Sequence, residues 1–188
     1  MKGSDYITLA KGFYPASITI SGNLSVFFLN NARRRVKRDL RRIEKKVYSL
    51  PAGHNNITID KFIELSSIQG RYQDLVWPLA RHYNSISLEN TLIGLPMIYR
   101  ITGNLIEVFP KANVDIDLIV YGVWDLSLVY SSDTLGLNDP DLFDTDAKLV
   151  AIEYAKQIAL YDQQVELSQF LGELYKQAYE EIKERIYA

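Results

Sequence analysis

The chain has 188 residues, 47% hydrophobic and 23% charged, with a formal net charge of −2. That suits one domain, or one with an excursion, since domains commonly run about 100–200 residues, and such a domain buries roughly 70% of its unfolded surface. The balance excludes a disordered chain, which would need fewer apolar residues and a larger net charge.

Residues 1–23 carry Gly3, Gly12, Pro15 and Gly22 without clear periodicity, which predicts an irregular N-terminal arm with a brief strand around Ser17–Ile20. From about Leu24 to Tyr48 the pattern turns helical: Leu29, Ala32, Val36, Leu40, Ile43 and Val47 recur at three-and-four spacing on one face. Ser49-Leu50-Pro51-Ala52-Gly53 ends that helix, because proline disfavours helix in the residue before it and glycine breaks the run.

Residues 57–130 read as β. Ile57–Ile59 and Phe62–Leu65 predict short strands, while Tyr72–Ser87 is ambiguous because Pro78 interrupts it. Met97–Ile101 and Leu105–Phe109 flank Thr102-Gly103-Asn104, a hairpin signal, and Pro110 closes the second strand. Val114–Trp124 alternates, with Val114, Ile116, Leu118 and Val120 on one face and Asp115 and Asp117 opposite. Ile119, Tyr121 and Val123 continue that second face, so it should be covered there.

A polar loop over 131–143 leads to two helices, about Thr145–Tyr161 and Val165–Tyr187. Asp144 or Thr145 can cap the first. Leu149, Ile152, Ala155 and Ile158 or Ala159 form its apolar face; Leu167, Phe170 or Leu171, Leu174, Ala178 and Ile182 form that of the second. The expected fold is α+β: an antiparallel helical bundle, one long N-terminal helix plus two C-terminal helices, with an inserted antiparallel β region. The domain expectation is an arm over 1–23 and a single domain over 24–188, comprising helix 24–48, β insertion 57–130 and helices 145–187.

Charge is distributed unevenly. Asn31–Tyr48 holds nine Lys or Arg against Asp39 and Glu44, whereas Asp139–Ala188 holds eleven acidic residues against five basic ones. Arg33, Arg34, Arg38, Arg41, Arg42 and Lys45 are therefore the candidate contact residues. One reading is phosphate binding, in which the helix neutralises a nucleic-acid backbone and releases counterions. The other is that the helix faces an acidic helix of its own chain or of a neighbouring subunit. A sequence pI of 5.7 favours the second, as does the shortage of aromatics on the helix for stacking single strands.

Other chemistry is thinly represented. Cysteine is absent, which removes disulfides, thiolate metal sites and cysteine nucleophiles and fits a reducing compartment. His54 and His82 are too few for a zinc site, which usually takes three or four nitrogen or sulfur ligands. Asp139, Asp141, Asp144 and Asp146 invite a calcium reading, but Pro140 intrudes and the central glycine of a calcium loop is missing. Asp115 with Asp117 is a thin version of a nuclease carboxylate pair. Glycine-rich phosphate loops, nucleophile elbows and H-E-x-x-H are not found. The expectation is a non-enzyme with no cofactor and no metal. With no apolar run near 18 residues and no leader pattern at Met1–Asp5, it is also a soluble cytoplasmic product. Thirteen tyrosines lean towards assembly, tyrosine being enriched at interfaces.

Several motifs in order carry a resemblance. They are Tyr48-Ser49-Leu50-Pro51 after the basic helix, Gly94-Leu95-Pro96-Met97-Ile98-Tyr99 running through Gly103 to Pro110, Ile119-Val120-Tyr121, Leu126-Ser127, and Asp141-Leu142 with Ala147–Ala151. Together they resemble the head–tail adaptor proteins of tailed bacteriophages, including tail tubular proteins, over about residues 24–188 and most specifically over 94–127. The resemblance implies a structural virion protein, a homo-oligomeric ring, usually a dodecamer, in the neck, assembled in the host cytoplasm. It would bind the portal protein and tail or further ring proteins, with DNA passing through its channel and no membrane partner. It transfers no catalytic residues.

Overall fold

The computed structural model describes residues 1–14, 22–83 and 92–187. The strand expected at Ser17–Ile20 and the end of the Tyr72–Ser87 stretch lie outside these residues. The chain sorts into two compact units, Met1–Arg41 with Leu126–Ala188, and Arg42–Asp125.

The first unit is helical, built from α1 (Gly3–Ala10), α2 (Gly22–Leu40), α3 (Ala147–Tyr161) and α4 (Val165–Tyr187). Leu149, Val150, Ala151, Ile152, Tyr154 and Ala155 of α3 are all buried. A helix that is apolar on every side must lie at the centre, and α3 packs against α1, α2 and α4. Leu29, Ala32, Val36 and Leu40 of α2 and Leu171, Tyr175, Ala178 and Ile182 of α4 complete the core. The sequence left Phe170 or Leu171 open; Leu171 faces the core and Phe170 is 63% exposed. Within the expected irregular arm, α1 sends Tyr6 and Ala10 into this core. Its first turn is tied by the Lys2 amide, which donates to Asp5 Oδ2 at 2.8 Å.

The helix expected to reach Tyr48 stops at Leu40. Arg41 takes φ +45°, the left-handed turn by which many helices end. Glu44–Leu50 is then strand β1. Ile43 and Val47, which continued the helical spacing, are 59% and 44% exposed. The same residues also fit strand alternation through Lys46, Tyr48 and Leu50, and pairing with a long neighbouring strand decides between the two periods.

The second unit is β throughout. After β1 come β2 (Asn56–Thr58), β3 (Phe62–Tyr72), β4 (Leu75–Pro78), β5 (Ala80–Arg81), β6 (Ile93–Gly94), β7 (Ile98–Thr102), β8 (Leu105–Phe109), β9 (Lys111–Ala112) and β10 (Ile116–Trp124). They form sheets of order β1-β10-β3-β4 and β2-β8-β7-β5 and a two-stranded sheet β6-β9. Leu50, Ile68, Ile116, Leu118 and Val120 from one large sheet and Tyr99, Ile106 and Val108 from the other share one core, so the two sheets face each other. Strand β10 lies between β1 and β3; of the second-face residues expected to be covered, Ile119 and Val123 are buried and Tyr121 is half-buried. The β7–β8 hairpin turns at Gly103 with φ +62°, a conformation glycine adopts without a Cβ penalty. Opposite Tyr121 and Gly122 of β10, β3 carries a bulge, with Ser66 the extra residue between Leu65 and Ser67. A Cβ on Gly122 would lie 2.6 Å from the Glu64 carbonyl oxygen, so only glycine fits there.

The expected fold of a helical bundle with an inserted antiparallel β region is therefore corrected. Among the described residues, strands recur from Glu44 to Trp124 and form three sheets. The β portion is a unit with its own core rather than an excursion, and it begins at Glu44 rather than residue 57. It is not wholly antiparallel, because β5–β7 and β6–β9 pair in parallel. The physical reason is that a double layer of sheets buries enough apolar surface to form a separate core.

Candidate functional site

The basic helix α2 divides its charge between an inward and an outward side. Arg33 lies one helical step from Leu29 and Val36, on the buried face, and is withdrawn fully from water. Its Nε and Nη2 donate to the two Asp139 carboxylate oxygens at 2.6 and 2.7 Å. Nη2 also reaches Asp141 Oδ2 at 3.3 Å, and Nη1 donates to the Leu128 carbonyl at 2.8 Å. The Tyr130 ring stacks on the guanidinium at 4.3 Å. This fork-on-fork geometry satisfies a buried charge pair, which would otherwise cost several kcal/mol.

The acidic loop is thus filled from within. Asp139 also accepts the Tyr6 hydroxyl at 3.1 Å. Asp141 accepts the Ser127 amide and hydroxyl, the Leu128 amide and Lys37 Nζ, at 2.7–3.5 Å. Burial pushes the Asp141 carboxyl up, but those donors outweigh it and hold the group below the usual carboxylate range. Burial and then Asp139 push the Tyr6 hydroxyl well above its ordinary value, and the same two causes raise Tyr130 to about 12. Asp146 accepts the Phe143 amide and is buried. Arg33 and Lys37 supply, from within the chain, the positive charge that a calcium ion would bring to this loop. Among the described residues, no group of three or more His, Asp or Glu is placed to hold a metal ion.

A second set links α2 to α3 and α4. Arg35 bonds Glu153 at 3.0 Å and Asp39 at 3.4 Å. Burial opposes its charge, but Glu153 and Asp39 more than restore it, so its pKa is raised. Tyr175 and Tyr179 donate to Asp39, to Oδ2 at 2.9 Å and to the carbonyl at 3.3 Å. Above them opens a cleft of about 830 Å³ whose lining includes Arg35, Arg38, Arg41, Tyr175, Lys176 and Tyr179. A smaller cleft beyond it shares Arg35, Tyr175 and Lys176 and adds Lys156, making one trough between α2 and α4.

Of the candidate contact residues, Arg33 is interior, while Arg34, Arg38 and Arg41 are exposed on α2 or just beyond it. Arg38 sits 3.7 Å from Asp39 and is 63% exposed. Arg42 is half-buried and Lys45 exposed at the start of the β unit. The trough brings Arg38 and Arg41 together with Lys176 and the two tyrosines. Sequence reasoning missed Tyr175, Lys176 and Tyr179; the available signal was their recurrence along one flank of α4. The carboxylates Asp115 and Asp117 do not converge on a reaction centre. The first accepts the Ala52 amide at 2.8 Å, the second Ser49 Oγ and Arg71 Nη2 at 3.0 and 2.6 Å.

Charged groups are thus matched inside the subunit, and others line a trough between α2 and α4. The chain belongs to the SU10 adaptor protein family, whose sequence profile matches residues 6–187. This is a family of phage head–tail adaptors, so the protein is a structural component of the virion that meets other head and tail proteins. No curated protein sequence matches the chain. Among the described residues, no helix is long and apolar enough to cross a membrane.

Proposed function

We propose that the protein is one subunit of a ring, of twelve copies by the resemblance, that joins the portal to the tail and extends the DNA channel. The observation that carries this reading is the family match over residues 6–187, which takes in both units. Its partners are further copies of itself, the portal protein and tail or further ring proteins, with DNA passing through, and it assembles in the host cytoplasm. It performs no catalysis and holds no cofactor. Arg33, Arg35 and Lys37 bond carboxylates of their own chain, which supports the helix-pairing reading of α2 over phosphate binding. Arg34, Arg38, Arg41, Arg42 and Lys45 remain the proposed contact residues. Negative-stain imaging of the purified protein, alone and mixed with a portal, tests the reading. Rings or portal-bound collars are expected; a monomer that ignores the portal overturns it.

A further inference from the structure

We infer that α1 and the loop over 127–142 form one strap, which opens and closes as a unit on a polar stripe of α2 while α3 and α4 stay folded. Asn30, Arg33 and Lys37 stand three and four residues apart, so they share one side of α2. All three are buried, and each holds the loop. Asn30 closes on the Tyr130 peptide as a neighbouring strand would, its Nδ2 donating to the carbonyl and its Oδ1 accepting the amide, both at 2.9 Å. Arg33 takes Asp139 and the Leu128 carbonyl, and Lys37 takes Asp141. Asp141 in turn accepts the amides of Ser127 and Leu128, so the two ends of the loop meet at one carboxylate.

Helix α1 and the residues before it are fastened to this loop. The Asp139 amide donates to the Met1 carbonyl at 2.7 Å, and the Ser4 amide to the Leu135 carbonyl at 3.0 Å. The Tyr6 hydroxyl donates to the same Asp139 carboxylate that Arg33 grips. Gly3 lets the helix sit close: a Cβ there would lie 3.0 Å from the Leu135 side chain and 3.1 Å from the Tyr130 ring. Two properties let such a strap release by itself. It brings few buried apolar side chains, Tyr6 and Ala10 from α1 and Tyr130 and Leu142 from the loop, whereas α3 is buried along most of its length. Segments with few buried apolar contacts open at lower free energy than the core. Its grip on α2 is also largely ionic, and opening returns Arg33, Lys37, Asp139 and Asp141 to water, where hydration offsets much of the bonding lost. The closed form dominates. The open form bares the side of α3 against which α1 packs, so the strap decides when that apolar surface meets water.

Hydrogen–deuterium exchange of the full-length chain, read by mass spectrometry on peptides spanning 1–14 and 127–142, tests the inference. In the unmodified chain the two peptides should share one opening constant, at least about tenfold larger than that of α3 and α4. Tyr6→Phe removes only the hydroxyl that reaches Asp139, and it should speed exchange of both peptides by the same factor, about fivefold. Ala178→Gly weakens α4 within the core, away from the strap. It should speed exchange in α3 and α4 about threefold or more and leave both strap peptides at their original rate, because a strap that opens while those helices stay folded does not sense their stability. A Tyr6→Phe chain in which either peptide keeps its rate would show that α1 and the loop are separate pieces. Strap peptides that exchange no faster than α3 and α4, or that speed up with Ala178→Gly, would make release a part of global unfolding. Either result overturns the inference.

Discussion

Arg33 and Asp139 are both fully withdrawn from solvent, and removing two charges from water is recovered only where every donor and lone pair is met. Here the surrounding bonds come from Leu128, Asp141, Tyr6 and the face of Tyr130. Arg33→Ala leaves Asp139 buried and uncompensated, so it should cost about 3–5 kcal/mol in urea unfolding. Replacing both partners, Arg33→Met with Asp139→Leu, should cost clearly less than the two single changes together. Asp141 adds a pH signature. Its folded pKa is depressed, so its contribution is present above the ordinary carboxylate value of about 3.9 and is lost as pH falls through the folded value. Asp141→Asn should lower stability at neutral pH and flatten the decline below about pH 4. An unchanged acid limb would show that the carboxylate is not the group concerned. This residue-level pattern was partly legible. Arg33 stands in phase with Leu29, Val36 and Leu40, which places it on the buried face, whereas Arg34 stands out of phase. Its partners were not legible, because Asp139 and Asp141 come from a loop whose path only tertiary packing sets.

Among the elements, β10 shows how far period can be trusted. Its alternation identified both faces, and Ile119 and Val123 of the second face are buried. Gly122 faces the bulge of β3, where an added Cβ meets backbone rather than a flexible side chain. Gly122→Ala should therefore destabilise the protein by about 1–3 kcal/mol, read as a lower urea midpoint. An unchanged midpoint would mean that the β3–β10 pairing slips to accommodate it. Helix α2 was legible in its middle and not at its end. Val36, Leu40, Ile43 and Val47 keep one period while Lys46, Tyr48 and Leu50 keep another, and no local property of those residues ranks them. Registered pairing of Glu44–Leu50 with Ile116–Gly122 does, helped by Trp124 Nε1, which donates to the Glu44 carbonyl at 3.2 Å. Helix α1 was missed because so short a segment carries too few apolar residues to show a period; Tyr6 and Ala10 are its only fully buried apolar side chains.

Each of the two units of the molecule carries its own core. Residues 42–125 alone should therefore fold, giving a β-type far-UV spectrum and a cooperative urea transition; a featureless transition would show that the sheets need the rest of the chain. The family was legible from motif order along Gly94–Ser127, and the profile match confirms it. The division into two units was not, because composition shifts little at Arg41/Arg42 or at Asp125/Leu126. The loop over 131–143 bears on how such a subunit is added to an assembly. It is fastened to the start of the chain by the Ser4 amide on the Leu135 carbonyl at 3.0 Å and the Asp139 amide on the Met1 carbonyl at 2.7 Å. It is fastened to α2 by Arg33. A segment tied down on folding has already surrendered its conformational freedom, so docking does not have to take it. Such a loop is in place before a partner arrives. Ordering of residues 131–143 therefore adds no step of its own to a docking event, whose rate diffusion and orientation limit.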